Sequence, residues 1–268
     1  MDRLVVLGTG FAIVTKYYNT CFLLDNGDEY FLVDAGGGSE ILKLFEVNGL
    51  DWKMLHNAYL SHEHIDHILG MIWVIRYVAS LMREGEFSGD FRLFCNGELI
   101  QKIRAICELT LWSKDLELIG QRIHFIEVRD GEGFDILSYH FTFFDIHSTK
   151  AKQFGFRMDY GSGDSLGFLG DEPYSRKCKK YLRNIKWVLS EALCLYSERN
   201  IYNPYELHHS TVKDACDNAR ELGAGNLVLW HTEDKTTFGR RKELYTKEAR
   251  EYFNGNIVVP NDGEIIYL

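Results

Sequence analysis

The chain has 268 residues, 46% hydrophobic and 26% charged, which is ordinary for a folded globular protein and long enough to bury a core without disulfides. Its formal net charge of −9 argues against a broad nucleic-acid surface, though not against a local basic groove. Six cysteines with no C-x-x-C pair speak against a sulfur-rich zinc site.

The cysteines sit in apolar runs and read as small buried hydrophobes. The N-terminus, MDRLVVLGTG, lacks the apolar run of a signal peptide. No segment is read as approaching the ~20 apolar residues of a membrane span. Together these features predict a protein of the reducing cytoplasm.

In chain order, RLVVL, TCFLL and YFLVD read as short strands separated by turn residues such as DNGD. SEILKLFEVNG predicts a helix with Ser39 as N-cap and Gly49 just past its end. NAYL is a short strand, and His67 to about Arg83 reads as an apolar helix. FRLFC returns to strand, and GELIQKIRAICELT carries the apolar stripe of a helix. Strands follow at 122–128, 134–137 and 140–145. FGFRMDY and SLGFLG flank GSGD as a hairpin. KWVLSEA is a buried strand. STVKDACDNARELGAG is a helix capped by Ser210 and ended by Gly223 or Gly225. NLVLW, the helix RKELYTKEAREYF, and the strands IVV and EIIYL complete the chain. No linker or repeat divides it, so one domain over 1–268 is expected, with α/β layers in which helices cover two sheets.

Residues 61–67, SHEHIDH, carry the densest chemistry. On an extended segment His62 and His64 fall on one face. Asp66 and His67 follow a bend and approach from a second direction. Imidazole nitrogens and carboxylate oxygens suit zinc, manganese or iron. Two cations can divide them, His62 and His64 to one, Asp66 and His67 to the other. Glu63 and Ile65 are spacers that point away. An apolar strand before the cluster and an apolar helix after it supply the context such a motif needs.

SHEHIDH resembles the signature of the metallo-β-lactamase superfamily. LGTG near the start, FLVDAGGG, and HHSTVKDACDNARELGAGNLVLWH resemble its ribonuclease Z-like branch. The resemblance implies a four-layer αββα sandwich and two divalent metal ions, zinc first, with manganese or iron as alternatives. It implies His147, at the end of FTFFDIH, as the third histidine on the first metal, with His140 and His124 as rivals. It implies Asp171 in FLGDEP as a bridging carboxylate, and His231 in LVLWH as the last histidine on the second metal. Asp34 would orient a ligand histidine from behind. His56 and His208 receive no role.

Such a site activates a water held between two metals for in-line displacement, with Asp66 and Asp171 positioning it. A leaving alkoxide needs a general acid. The resemblance supplies His209 of HHST for that role, oriented by Glu191 of LSEA. Two departures bear on substrate. Ribonuclease Z proper carries a long basic tRNA-gripping arm between the third histidine and the bridging aspartate, and here residues 148–170 are too few for it. TEDKTTFGRR after His231 also departs from the branch's Ser-x-Arg-Tyr. The expected function is therefore a dinuclear-metal phosphodiesterase for a small or short phosphodiester, cyclic phosphates and nucleotides included. tRNA and membrane partners are not expected; the resemblance, to a family that often dimerises, admits a homodimer. Alternatives are a ribonuclease, a carboxylic or thioester hydrolase, and a non-catalytic binding or redox protein on the same scaffold. The aromatic-rich region 73–120 would be core, pocket or dimer interface. SRKCKKYLR would be a phosphate site or a solvated face.

Overall fold

The computed structural model describes residues 3–161 and 163–268. They fall into two units, one of Met1–Gly8, Tyr18–Val128 and Asp262–Leu268, the other of Thr9–Tyr17 and Arg129–Asn261.

The first unit is built on strands β1 (Arg3–Gly8), β2 (Cys21–Asp25), β3 (Tyr30–Val33), β4 (Asn57–Tyr59), β5 (Phe91–Cys95) and β6 (Ile123–Glu127), closed by β14 (Ile265–Tyr267). The sheet order is β14-β1-β2-β3-β4-β5-β6. Pairing is antiparallel from β14 to β3 and parallel from β3 to β6. The β2–β3 turn is tight because Asn26 Oδ1 accepts the N–H groups of Asp28 and Glu29, while Gly27 takes a φ of 98°. Parallel strands need crossovers, and helices α1 (Glu40–Val47), α2 (Ile65–Glu84) and α3 (Gly97–Thr110) supply them. α3 buries Leu99, Ile103 and Cys107, one stripe at a spacing of four. The short α4 (Ser113–Leu116) presents a buried Asp115 to Arg76 and Arg83 of α2. One apolar core joins these helices to the sheet.

Two expectations change in this unit. Ser39 sits in the right-handed helical region and its side chain makes no cap bond. The 20-residue α2 is, by length and composition, apolar enough to cross a membrane. Two-thirds of it is buried, however, and Met71, Val74, Ile75 and Val78 belong to the core. Its apolarity is that of a helix closed in by its own unit.

The second unit contains β7 (Gly133–Ile136), β8 (Tyr139–Asp145), β9 (Phe154–Tyr160), β10 (Asp164–Phe168), β11 (Trp187–Glu191), β12 (Asn226–Trp230) and β13 (Asn256–Val258). They lie in the order β13-β12-β11-β10-β9-β8-β7. Here β7 to β10 are antiparallel and β10 to β13 parallel. The expected β9–β10 hairpin is present, with Tyr160 opposite Asp164. Of its GSGD turn, Ser162 lies outside the described residues. After β11 come α5 (Arg199–Tyr202) and α6 (Val212–Leu222), and α7 (Arg241–Ala249) follows β12. α6 buries Val212, Ala215, Cys216, Ala219 and Leu222, and ends on Gly223 at φ 70°. Its cap is Thr211, not Ser210. Thr211 is extended and forms a reciprocal capping box with Asp214, while the Ser210 N–H is taken by Glu191. α7 stops at Ala249, short of the expected Phe253.

All six cysteines are free and buried. In SRKCKKYLR, Arg176 and Lys179 both pair with Glu221, and Lys180 lies 3.7 Å from Asp130. Three of its five cations thus face carboxylates from elsewhere in the unit, as a largely solvated face does, while Cys178 and Leu182 turn into the core.

Candidate metal centre

In the first unit, the segment between β4 and α2 is extended, and His64 is the N-cap at φ −62°, ψ 148°. This geometry turns His62 and His64 to the same side, with His62 Nε2 and His64 Nδ1 2.9 Å apart. α2 starts at Ile65, so Asp66 and His67 occupy its first turn. Both are buried, and His67 Nε2 stands 3.3 Å from Asp66 Oδ2. The other His67 nitrogen, Nδ1, is 2.8 Å from Asp34 Oδ2. That contact fixes the tautomer and leaves Nε2 as the donor to a cation. Asp34 also accepts the Ser61 N–H at 2.8 Å and the Ser61 hydroxyl at 2.7 Å. Ser61 Oγ in turn meets His62 Nδ1 at 2.9 Å. The spacer Glu63 turns away to pair with Lys102 of α3, and Ile65 is exposed.

In the second unit, Asp171 follows β10 and His231 follows β12, both buried. His231 Nε2 is 3.6 Å from Asp171 Oδ2. Gln153 Nε2 donates to Asp171 Oδ1 at 2.6 Å and aims the other oxygen. Gly170 makes room for this contact, since a Cβ there would stand 3.0 Å from the Gln153 amide. His209 lies with its ring centroid 5.4 Å from that of His231, and its Nδ1 faces Glu191 Oε2 at 3.5 Å. Glu191 is held by the Ser210 N–H on its other oxygen. Burial pushes the Glu191 carboxyl up. Burial pulls the His209 imidazole down, but Glu191 outweighs it and leaves His209 above its ordinary value of 6.5.

His147 stands just past β8 at φ 61°, exposed, its backbone N–H bonded to Asp145. Among the described residues its imidazole makes no hydrogen bond or ring contact, so the structure does not bring it onto Asp171 or His231. Beside it, Glu172 is buried and accepts from Ser148 Oγ at 2.6 Å. The rivals are surface pairs, His124 with Asp90 and His140 with Asp135. His56 contacts the Asp90 carbonyl and His208 the Thr149 hydroxyl.

The donor set fits divalent cations. A tetrahedral zinc with bonds of about 2.0–2.2 Å places neighbouring ligand atoms about 3.3–3.6 Å apart. The His67–Asp66 and His231–Asp171 spacings of 3.3 and 3.6 Å fall in that range. The sequence reading missed Ser61, Gln153 and Glu172. Ser61 opens SHEHIDH and Glu172 lies in FLGDEP, but the sequence names no partner for either or for Gln153; Ser61 and Gln153 orient the carboxylates of Asp34 and Asp171, and Glu172 holds the Ser148 hydroxyl.

The family profile described as anti-Pycsar protein Apyc1 matches residues 2–221. The chain belongs to that family. Curated relatives include the ribonuclease Z of Thermococcus sibiricus, 20% identical over 100% of this chain and 97% of its own. That of Pyrococcus abyssi is 24% identical over 92% and 91%. Among solved structures, the metallo-β-lactamase fold protein YhfI of Bacillus subtilis aligns with TM-score 0.80 at 19% identity, over 99% of this chain and 98% of its own. Human tRNase Z, short form, aligns with TM-score 0.74 at 18%, over 100% and 99%. A diphosphatase of the PhnP family aligns with TM-score 0.74 at 15%, over 99% and 96%. The fold is that of the metallo-β-lactamases, as SHEHIDH implied, and the chain is a ribonuclease Z-like, metal-dependent hydrolase of that superfamily.

Proposed function

We propose that this chain is a dinuclear phosphodiesterase acting on a small or short phosphodiester, a cyclic nucleotide being the representative case. One observation carries the reading. A buried imidazole, His209, backed by the carboxylate of Glu191, lies beside His231, where a leaving alkoxide needs a proton. Esters with weakly basic leaving groups have less need of such a donor.

In this reading His62, His64 and His147 would hold one cation and Asp66, His67 and His231 the other, with Asp171 as the shared carboxylate. All of 1–268 then works as one functional domain. Zinc suits the set first, manganese or iron next. When bound, the pair supplies an activated water and neutralises charge on the phosphodiester oxygens. Asp34 keeps His67 in its ligating tautomer through the 2.8 Å contact. Asp66 and Asp171 orient the attacking water and take up its proton. His209, with Nδ1 directed at Glu191, offers Nε2 to the leaving oxygen. His147, exposed just past β8, would complete the first set.

Substrate size follows from what flanks the site. Residues 148–170 hold only the β9–β10 hairpin and its approach, leaving no tRNA arm. The net charge of −9 disfavours long phosphate tracks. Ribonuclease action is the second reading, because the ribonuclease Z relatives align over nearly their whole length. A homodimer is also part of the proposal. Ile65, Leu69, Trp73 and Tyr77 form an exposed stripe on α2, and a 350 Å³ groove beside it is lined by Ile106 and Leu111. Trp73→Glu should then sediment as a monomer. A cytoplasmic setting accords with six free, buried cysteines.

The test is a metal-loaded screen of bis-(p-nitrophenyl) phosphate, cyclic nucleotides, tRNA precursors and thioesters. Cleavage of the first two is expected. Clear thioester hydrolysis with every phosphodiester untouched overturns the proposal, and tRNA processing alone moves it to the second reading.

A further inference from the structure

Resting on the reading of His209 as the acid, we propose that Thr9–Tyr17 is a fastened strap whose Phe11 ring sets the orientation of the His209 imidazole. Phe11 lies edge-on to two imidazoles at once. Its centroid is 6.3 Å from His209 at an interplanar angle of 80°, and 6.2 Å from His231 at 77°. Edge-to-face packing of this kind favours one relative ring orientation. Glu191 Oε2 faces His209 Nδ1 at 3.5 Å, an ion-pair distance. The imidazole thus has a carboxylate on its Nδ1 side and the Phe11 ring packed edge-on against it, two contacts that together favour one direction for Nε2.

The strap is tied down far more firmly than its exposed tip, Ile13, would require. The Phe11 N–H bonds the Thr232 carbonyl at 3.1 Å, and the Thr232 N–H returns to the Thr9 carbonyl at 3.0 Å. Asp234 Oδ2 accepts the N–H groups of Thr15 at 2.7 Å and Lys16 at 2.9 Å. The buried Arg241 reaches both ends of the strap. It donates to Thr9 Oγ1 at 2.8 Å and Thr232 Oγ1 at 2.9 Å, and its guanidinium lies 3.9 Å from the Tyr17 ring centroid. Gly10 lets the strap curl on itself, because a Cβ there would come within 2.3 Å of Val14 Cγ2. Thr232 directly follows His231 in the chain, and Asp234 lies three residues after it. The strap and the His231 loop thus form one piece, with Phe11 as its contact to the acid.

In the reaction, the water oxygen bonds phosphorus, the bond from phosphorus to the leaving oxygen breaks, and the proton from His209 Nε2 goes to that oxygen. The proton released by the water restores the enzyme, so one water is consumed per bond. Only a basic leaving group depends on this transfer. Phe11 is accordingly a positioning residue, and its loss should be selective.

The experiment compares metal-loaded full-length Phe11→Leu, Asp234→Asn, Phe11→Tyr and His209→Ala. The substrates are a cyclic nucleotide, with an alkoxide leaving group, and bis-(p-nitrophenyl) phosphate, whose leaving group needs little help. Phe11→Leu and Asp234→Asn should lower kcat for the cyclic nucleotide about 10- to 100-fold, as expected for a slightly misplaced group. KM, metal content and nitrophenyl turnover should hold, and Phe11→Tyr, which keeps the ring edge, should behave as wild type. In metal-free crystals of Phe11→Leu the His209 ring should turn away from Glu191. Equal losses on both substrates, or an unmoved His209 ring, would make the strap merely structural and overturn the inference. If His209→Ala itself shows no leaving-group selectivity, the acid assignment fails and the strap's role goes with it. If His209→Ala is selective and the strap variants are not, the strap alone is refuted.

Discussion

Asp34, His147 and His231 each stand just past the end of a strand with left-handed backbone, at φ 54°, 61° and 56°. Aspartate and histidine tolerate that region better than branched residues, though at a cost, and such strain gathers at functional sites. At Asp34 the cost has a visible return, because one carboxylate satisfies the Ser61 N–H, the Ser61 hydroxyl and His67 Nδ1. Asp34→Ala should destabilise the protein by about 1–3 kcal/mol through buried donors left unmet. It should also weaken metal affinity about 10- to 100-fold. Denaturant titration and metal stoichiometry read the two effects separately. Glu233, buried two residues after His231, accepts from Thr237 Oγ1, Tyr202 and the N–H groups of residues 235–237. Burial pushes its carboxyl up, but these donors prevail and hold it below the ordinary 4.5. Its contribution to stability is therefore complete above pH 4.5 and is lost as pH falls through the lowered folded-state value. Glu233→Gln should flatten the acid limb of the stability curve. An unchanged acid limb would show that the carboxylate charge is not what those donors stabilise.

At the scale of elements, α2 is the decisive helix, because its first turn carries Asp66 and His67. Its approach to the 34–37 loop is set by Gly70. A Cβ at that position would stand 1.7 Å from the Ala35 carbonyl oxygen, and the Gly70 N–H already bonds the Gly36 carbonyl at 2.8 Å. Alanine is favoured over glycine within a helix by about 1 kcal/mol, yet Gly70→Ala should destabilise by roughly 1–3 kcal/mol through forced displacement. It should also weaken metal binding by lengthening the Asp34–His67 contact. A thermal melt with a parallel zinc titration checks both effects, and a more stable variant with intact binding would disprove this account. The elements themselves were largely legible, since alternating and helical periodicities mark where apolar faces must lie. Their caps were less so. Ser39 and Ser210 look like caps in sequence, but capping needs an extended backbone, and that is settled by how the preceding strand leads into the helix. Thr211 has that backbone and Ser39 does not.

At the scale of the whole molecule, bound cations would count among the largest single contributions to stability. A ligand at a hundred times its Kd stabilises by about 2.7 kcal/mol, equivalent to roughly 5–10 °C for a chain of this size. Chelation should lower Tm by about that amount, and added zinc should restore it. A melt indifferent to chelator after full metal removal would argue against cations held by folded structure. The two sheets share a design, each antiparallel toward one edge and parallel toward the other. That arrangement sets Asp34, the 61–67 segment, Asp171 and His231 in the loops that follow parallel-paired strands, where crossovers leave strand ends free.

The sequence alone determined the superfamily, the α/β class and the residue types available to hold cations, because a dense histidine–aspartate motif and strand periodicity are local properties. It also singled out Asp34, His209 and Glu191, through a resemblance spread along the chain, and the structure sets Asp34 against His67 and Glu191 against His209. The tertiary structure alone decided which neighbours aim those groups. Ser61 and Gln153 orient carboxylates, α2 packs through Gly70, and Phe11 lies against two imidazoles from a segment some two hundred residues away in sequence. These are contacts between distant residues, fixed by strand register and close packing, and no spacing along the chain encodes them.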